Sequence, residues 1–410
     1  MVETIVSTKT NNLKLKTKNH NLKPINLSEI KASQTKRIST KISELDRVLG
    51  GGLVNGQVVL IAGEAGIGKS TLLLEVSSCL AAGKPSGQAV LYVCGEESAS
   101  QIAIRGQRLG IRSKNIELLE DTNVDNAVET ISSLDNLSGV IVDSIQTMYT
   151  SDLSGLSGSV GQVRECTARL LRVCKEKEIP LFLVGHVTKE GTVAGPAVLA
   201  HIVDTVLWFE GDKTLTLRVL RAVKNRFGPT DEVGIFEMQD KGLQSLSGTE
   251  IFLEKHRENV AGSVVTSILQ GTRPMLVEIQ ALVVPTKMAF AKRVAQGIDS
   301  RRLELLLAVL IRRCGLPLYD FDVFVNCAGG MKITEPGSDL AITLAIASAY
   351  FDKAISGKVM ALGEVGLLGE IREVMAQEKR IKEARRLGFT QVISSKEAHF
   401  VGEVIKKLLK

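Results

Sequence analysis

Gln57-Val-Val-Leu-Ile-Ala62-Gly63-Glu64-Ala65-Gly66-Ile67-Gly68-Lys69-Ser70-Thr71 passes from an unbroken apolar run into a glycine-rich turn, and a helical pattern follows over residues 70–80. Strand, GxxxxGK[ST] loop and helix in that order form a phosphate-binding unit. The glycines let backbone N–H groups curl around phosphate oxygens, and the helix N-terminus adds positive potential. Lys69 then reaches the β and γ phosphates, and the Ser70 hydroxyl is placed to ligate Mg²⁺. Residues 63–71 are therefore the nucleotide-binding candidates. Further Val-, Ile- and Leu-rich stretches at 89–94, 139–142, 180–184 and 205–209 alternate with helical ones. That alternation predicts an α/β fold, a parallel sheet covered by helices on both faces. Strand-rich stretches at 214–221 and 234–237 extend it in antiparallel fashion.

Two other strand ends carry acids. Gly139-Val-Ile-Val-Asp143-Ser ends in a carboxylate where open α/β sheets bind their ligands, so Asp143 is the metal-side acid beside Ser70. Leu91-Tyr-Val-Cys-Gly-Glu96-Glu97 brings two more carboxylates to the same edge. Either can take a proton from an attacking water, and Glu96 is preferred.

The chain has 410 residues, enough for two or three domains. A short helix precedes the phosphate loop: Ser39 or Thr40 caps it, apolar residues recur at Ile42, Leu45, Val48 and Leu49, and Gly50 stops it. A polar segment at 239–248 reads as a domain boundary. Beyond it come strands at 262–269 and 274–284, a helix at 300–313, a strand at 322–327, a helix at 339–351, a strand at 359–362 and a final helix–strand–helix. The expected division is a basic arm over 1–38, an ATPase domain over 39–240 and an α+β domain over 250–410. The first 40 residues hold eight basic and two acidic residues, which accounts for the whole net charge of +6. Six scattered cysteines without a CxxC pair read as reduced thiols. No apolar run is long enough to span a membrane, and the first residues lack a secretory signal, so a cytoplasmic protein is expected.

The phosphate loop, Glu96-Glu97, Asp143-Ser-Ile-Gln and above all Lys224-Asn225-Arg226-Phe227-Gly228 resemble the RadA (Sms) family of DNA repair proteins, which are RecA-like ATPases. The similarity extends over residues 40–410. It implies a ring, expected to be a hexamer, that binds single-stranded and branched DNA. It also implies ATP and Mg²⁺ as ligands, branch migration of recombination intermediates, and a recombinase of the RecA type as partner. His186 would sense the γ-phosphate, as in RecA-like motors. The glycine-rich stretches 155–161 and 185–195, with Lys189 in the second, would follow a DNA backbone. Lys224 and Arg226, two cations without a carboxylate near them in sequence, suit an anion: a neighbouring subunit's ATP, where they would be catalytic, or DNA. Asn225, Phe227 and Gly228 join them as DNA-binding candidates.

Two departures matter. The family begins with a four-cysteine zinc finger, and this sequence has none, so no zinc site is expected. From Phe324 onward the chain resembles the proteolytic domain of Lon, which uses a serine and a lysine. Ser338 stands at the serine position, but Glu378 stands where the lysine belongs, with Lys379 one residue later and rotated by about 100° on a helix. A scaffold is expected, not a protease. The competing readings are an ATP-dependent Lon-type protease and a non-motor ATPase like the clock protein KaiC.

Overall fold

The computed structural model describes residues 37–82, 88–186, 196–211, 217–246, 260–288 and 290–409. The expected arm, apart from Arg37 and Ile38, lies outside them. After a short helix α1 (Ser43–Leu49), strands β1 (Val58–Gly63), β2 (Ala89–Cys94), β3 (Ile116–Leu119), β4 (Leu137–Asp143), β5 (Leu181–His186) and β6 (Thr205–Glu210) form the parallel part of one sheet. Strands β7 (Leu217–Asn225), β8 (Val233–Gln239) and β9 (Gly242–Ser245) continue it antiparallel. The order is β3-β2-β4-β5-β1-β6-β7-β8-β9, so β5 separates the phosphate-loop strand from the strand that ends in Asp143.

Successive residues of β1 feed opposite cores. Val59 and Ile61 pack with α1, α2 (Lys69–Ala82) and α3 (Ala99–Arg108), whereas Val58 and Leu60 pack with α4 (Val124–Ser133), α5 (Val160–Glu176) and α6 (Pro196–Leu199). Both faces are thus covered, which is why these strands read as continuous apolar runs. The short β3 at the sheet edge, only half-buried and with Glu117 exposed, has no such run and no strand is expected there.

Two local expectations change. The caps of α1 are not Ser39 or Thr40: Ile42 occupies that position without a side-chain bond. The two hydroxyls donate instead to Asp46 at 2.6 and 2.8 Å, tying the incoming chain to the helix. The polar segment expected as a boundary is the β8–β9 hairpin, so the first sheet runs to Ser245.

The second sheet, in the order β12-β13-β11-β10-β14-β17, consists of β10 (Ser263–Gln270), β11 (Arg273–Pro285), β12 (Arg293–Gln296), β13 (Phe321–Cys327), β14 (Val359–Ala361) and β17 (Gln391–Ile393). A small hairpin, β15 (Glu364–Val365) and β16 (Ile371–Arg372), stands apart. Helices α7 (Ser300–Cys314), α8 (Asp339–Phe351) and α10 (Val401–Leu409) cover one face; α9 (Gln377–Arg386) covers the other.

A buried ion pair joins the two sheets. Glu44 of α1, fully buried, accepts from the Ile235 N–H of β8 at 2.9 Å and from Arg273 Nη1 of β11 at 2.7 Å. Arg273→Ala leaves that carboxylate the Ile235 N–H and, as its one cation among the described residues, the half-exposed Arg47, 3.5 Å away. An uncompensated buried charge of this kind costs about 3–5 kcal/mol, so denaturant unfolding should shift by that amount. An unchanged midpoint would show that the pair does not hold the sheets together.

Candidate nucleotide site and its surroundings

The phosphate loop leaves β1 at Gly63, beside β6. A Cβ on Gly63 would stand 2.4 Å from the Phe209 carbonyl oxygen, so the strand can enter the loop only as glycine. Lys69, 3% exposed, donates to the carbonyl oxygens of Gly63 and Glu64, both at 2.8 Å. Its Nζ also lies 3.3 Å from His186 Nδ1 at the end of β5. Burial lowers the Lys69 pKa to about 8, against the pull of Asp143 and Glu96.

Asp143 and the Glu96 pair meet because β2 and β4 are neighbours whose ends are stitched together. The Gly95 and Glu96 N–H groups both donate to the Asp143 carbonyl, at 2.7 and 3.2 Å. Gly95 has no room for a side chain, since a Cβ there would lie 2.1 Å from Thr147 Oγ1. The peptide bond between Asp143 and Ser144 is cis. Asp143 is buried, and Tyr92 donates to its Oδ2 at 2.7 Å. Burial pushes its carboxyl above the ordinary value, opposed by the Ser70 and Tyr92 hydroxyls. Its Oδ1 is buried without a hydrogen-bond partner.

The two glutamates have different surroundings. Glu96 Oε1 accepts from Ser144 Oγ at 2.6 Å and lies 3.1 Å from His186 Nε2. Those bonds, with Lys69 nearby, outweigh burial and lower its pKa to about 2. Glu97 turns to α3, where Arg105 donates to it at 2.5 Å. The structure thus brings Lys69, Glu96, Asp143 and His186 together and holds Glu97 in an ion pair.

Donor atoms of Glu96, Asp143 and His186 lie within 4.8 Å of one another. With the unpartnered Asp143 oxygen and the Ser70 hydroxyl, this oxygen-rich set would suit a Mg²⁺. Such an ion would neutralise charge on the β and γ phosphates.

Lys224, Asn225, Arg226, Phe227 and Gly228 sit elsewhere. Asn225 pairs with Thr205, which pairs with Val59 near the start of β1, whereas the loop leaves β1 at Gly63. Four residues of strand, roughly 13 Å, separate the two levels. Sequence gave these cations no carboxylate; the fold supplies Asp204, which Arg226 meets at 3.2 Å while staying half exposed. Lys224 donates to the carbonyls of Ala200 and Val203 at 2.6 and 2.8 Å. Asn225 Oδ1 accepts from the Phe227 N–H, Arg37 donates to the Phe227 carbonyl, and Gly228 lies against Gly50. Within one chain the motif is a brace, and Arg226 is its exposed charge.

Lys189 and residues 187–195 lie outside the described residues. The other glycine-rich stretch is shorter than expected, because Gly161 already belongs to α5. Gln162 staples that loop: it accepts from the Thr150 N–H and donates to the carbonyls of Thr150 and Leu153. Nothing in its spacing announced this.

In the second half, Ser338 is buried and its hydroxyl has no hydrogen-bond partner among the described residues. Glu378, expected beside it, is exposed and paired with Lys396, and Lys379 donates to the Thr272 carbonyl at 2.6 Å. Neither is held against the serine. Asp339, the next residue, is paired with Arg302.

A parallel sheet, a phosphate loop and carboxylates on adjacent strand ends define a P-loop ATPase core. A family model described as "AAA domain" matches residues 25–192. The chain is 50% identical over 372 residues to the DNA repair protein RadA of Bacillus subtilis (strain 168), covering 90% of this chain and 80% of that protein. It is 46% identical over 399 residues to DNA repair protein RadA of Listeria monocytogenes, covering 93% and 86%. The chain belongs to the RadA family of DNA repair proteins. A crystal structure of the RadB recombinase superposes with a TM-score of 0.40 at 23% identity, covering 51% of this chain and 99% of that one. No helix among the described residues is long and apolar enough to cross a membrane.

Proposed function

We propose that this protein is a DNA-dependent ATPase that drives branch migration of recombination intermediates, working as a ring, a hexamer, on single-stranded and branched DNA alongside a RecA-type recombinase. The observation that carries the reading is the convergence of Lys69, Glu96, Asp143 and His186 at one strand edge, in a chain of the RadA family. In this reading Lys69 binds the β and γ phosphates, and Asp143 with Ser70 holds the metal. Glu96 orients the attacking water, and His186, touching both Lys69 and Glu96, reports γ-phosphate occupancy to the chain that follows β5. The first sheet is the ATPase domain and the second a Lon-like scaffold, the boundary falling between Leu246 and Val260. The test is ATP hydrolysis with and without single-stranded DNA, together with strand transfer on a three-stranded junction. ATPase activity indifferent to DNA would favour the KaiC-like alternative.

Lys224 and Arg226 act between subunits in this reading, since Arg226 is exposed well away from its own chain's phosphate loop. Mixing Lys224→Ala with Lys69→Ala protein should restore ATPase activity at interfaces that receive one intact half from each. Mixed rings no more active than the sum of the separate variants would exclude action in trans.

The second half cleaves no peptides in this reading, because no described residue pairs with Ser338 as a base to take its proton. Unfolded casein incubated with the protein and ATP should stay intact. Release of peptides that disappears in Ser338→Ala would favour the protease alternative.

A further inference from the structure

The turn that follows β4, residues 144–147, forms one side of the hydrolytic site and ties three strand ends together. The Ser144 hydroxyl holds Glu96 after β2 at 2.6 Å. The Ile145 N–H donates to the Val184 carbonyl of β5 at 3.1 Å. Thr147 Oγ1 donates back to the Ser144 carbonyl at 2.7 Å and packs against Gly95. Gln146 Nε2 donates to the carbonyl of His186, the last residue of β5, at 3.3 Å.

Gln146 is an unfavourable choice if stability alone decides the position. The residue is half-buried, its Oε1 atom is buried, and among the described residues nothing donates to that oxygen. Burying an amide oxygen without a donor costs more than one long hydrogen bond at the other end of the same group returns. Methionine, of similar length and shape, would pack there at least as well.

What the amide does reach is the main chain of His186, whose ring links the charged groups of the site. Its Nδ1 lies 3.3 Å from Lys69 Nζ and its Nε2 lies 3.1 Å from Glu96 Oε1. An ammonium group has only protons to give, so Nδ1 accepts and Nε2 carries the ring proton toward Glu96. A ring that meets both groups needs a backbone that does not turn, and the Gln146 bond holds the carbonyl at its root.

We propose that Gln146 is a positioning residue for ATP hydrolysis: it fixes the His186 main chain so that the imidazole keeps Glu96 aligned on the attacking water. The inference rests on the roles proposed above for Glu96 and His186. The phosphates are gripped by Lys69 and its loop, so losing the amide slows turnover and spares ATP affinity.

The experiment compares steady-state ATP hydrolysis, MANT-ATP binding and thermal melting of the full-length Gln146→Met, His186→Ala and doubly substituted proteins. Gln146→Met should melt at or above the parent temperature, bind MANT-ATP within about twofold of the parent and turn over about tenfold more slowly. The double variant should be no slower than His186→Ala, because the glutamine then has nothing left to position. Parent-like turnover of Gln146→Met beside a slow His186→Ala would overturn this proposal alone, as would an undiminished loss from Gln146→Met on top of His186→Ala. Parent-like turnover of His186→Ala would overturn it together with the site roles on which it rests. If Gln146→Met melts below the parent, Gln146→Ala, which only removes atoms, decides by the same turnover comparisons.

Discussion

A Lys69→Ala protein should hydrolyse ATP at least about 10²- to 10³-fold more slowly than the parent, the scale of losing one fixed donor aimed at developing charge. It should remain folded, because among the described residues Lys69 bonds to carbonyls of its own loop and to His186, and these can be re-solvated. Steady-state turnover with a thermal melt checks both. Turnover within tenfold of the parent would remove the nucleotide-site assignment. The same residue sets a pH dependence. With a pKa near 8, Lys69 is a cation at neutral pH and loses its proton as the pH rises through that value. Bound phosphate favours the charged form, so ATP affinity should be full below pH 8 and fall above it.

Glu96→Gln should slow hydrolysis by about 10²- to 10⁴-fold and leave ATP binding intact. Its low pKa places the effect toward the smaller end. A carboxylate held ionised by His186 and Ser144 is a weak base but a fixed acceptor, suited to orienting water for a loose phosphoryl-transfer transition state that needs little proton abstraction early. Glu97→Gln should cost less, since Glu97 is committed to Arg105. Single-turnover hydrolysis with a binding control separates the two. A larger loss from Glu97→Gln would reverse their roles.

The parallel strands and the long helices were legible because burial on both faces forces apolar continuity, and α8 was placed residue for residue. The carboxylates at strand ends were legible for the same reason: a strand end is where such a run stops. Short or polar elements were not. β3 and β12 have half-exposed faces, and β9 is built from Gly242, Leu243, Gln244 and Ser245, which look like a turn until β8 pairs with them. Partners brought in by topology left no trace either. Asp204 meets Arg226 from 22 residues away, and Tyr92 meets Asp143 from 51. Sequence could propose charges for Lys224 and Arg226 but not that backbone carbonyls and Asp204 already receive them.

The Glu44–Arg273 pair bears on how such a chain can change by descent. The partners are 229 residues apart, one on α1 against the first sheet and the other in the second sheet. Losing either alone strands a buried charge, whereas exchanging both for apolar residues of similar volume is often neutral or stabilising. Single steps at these two positions are therefore closed while a paired step is open. The two halves should be inherited together, and a half borrowed from a distant relative should be accepted only if it brings a matching residue to this joint.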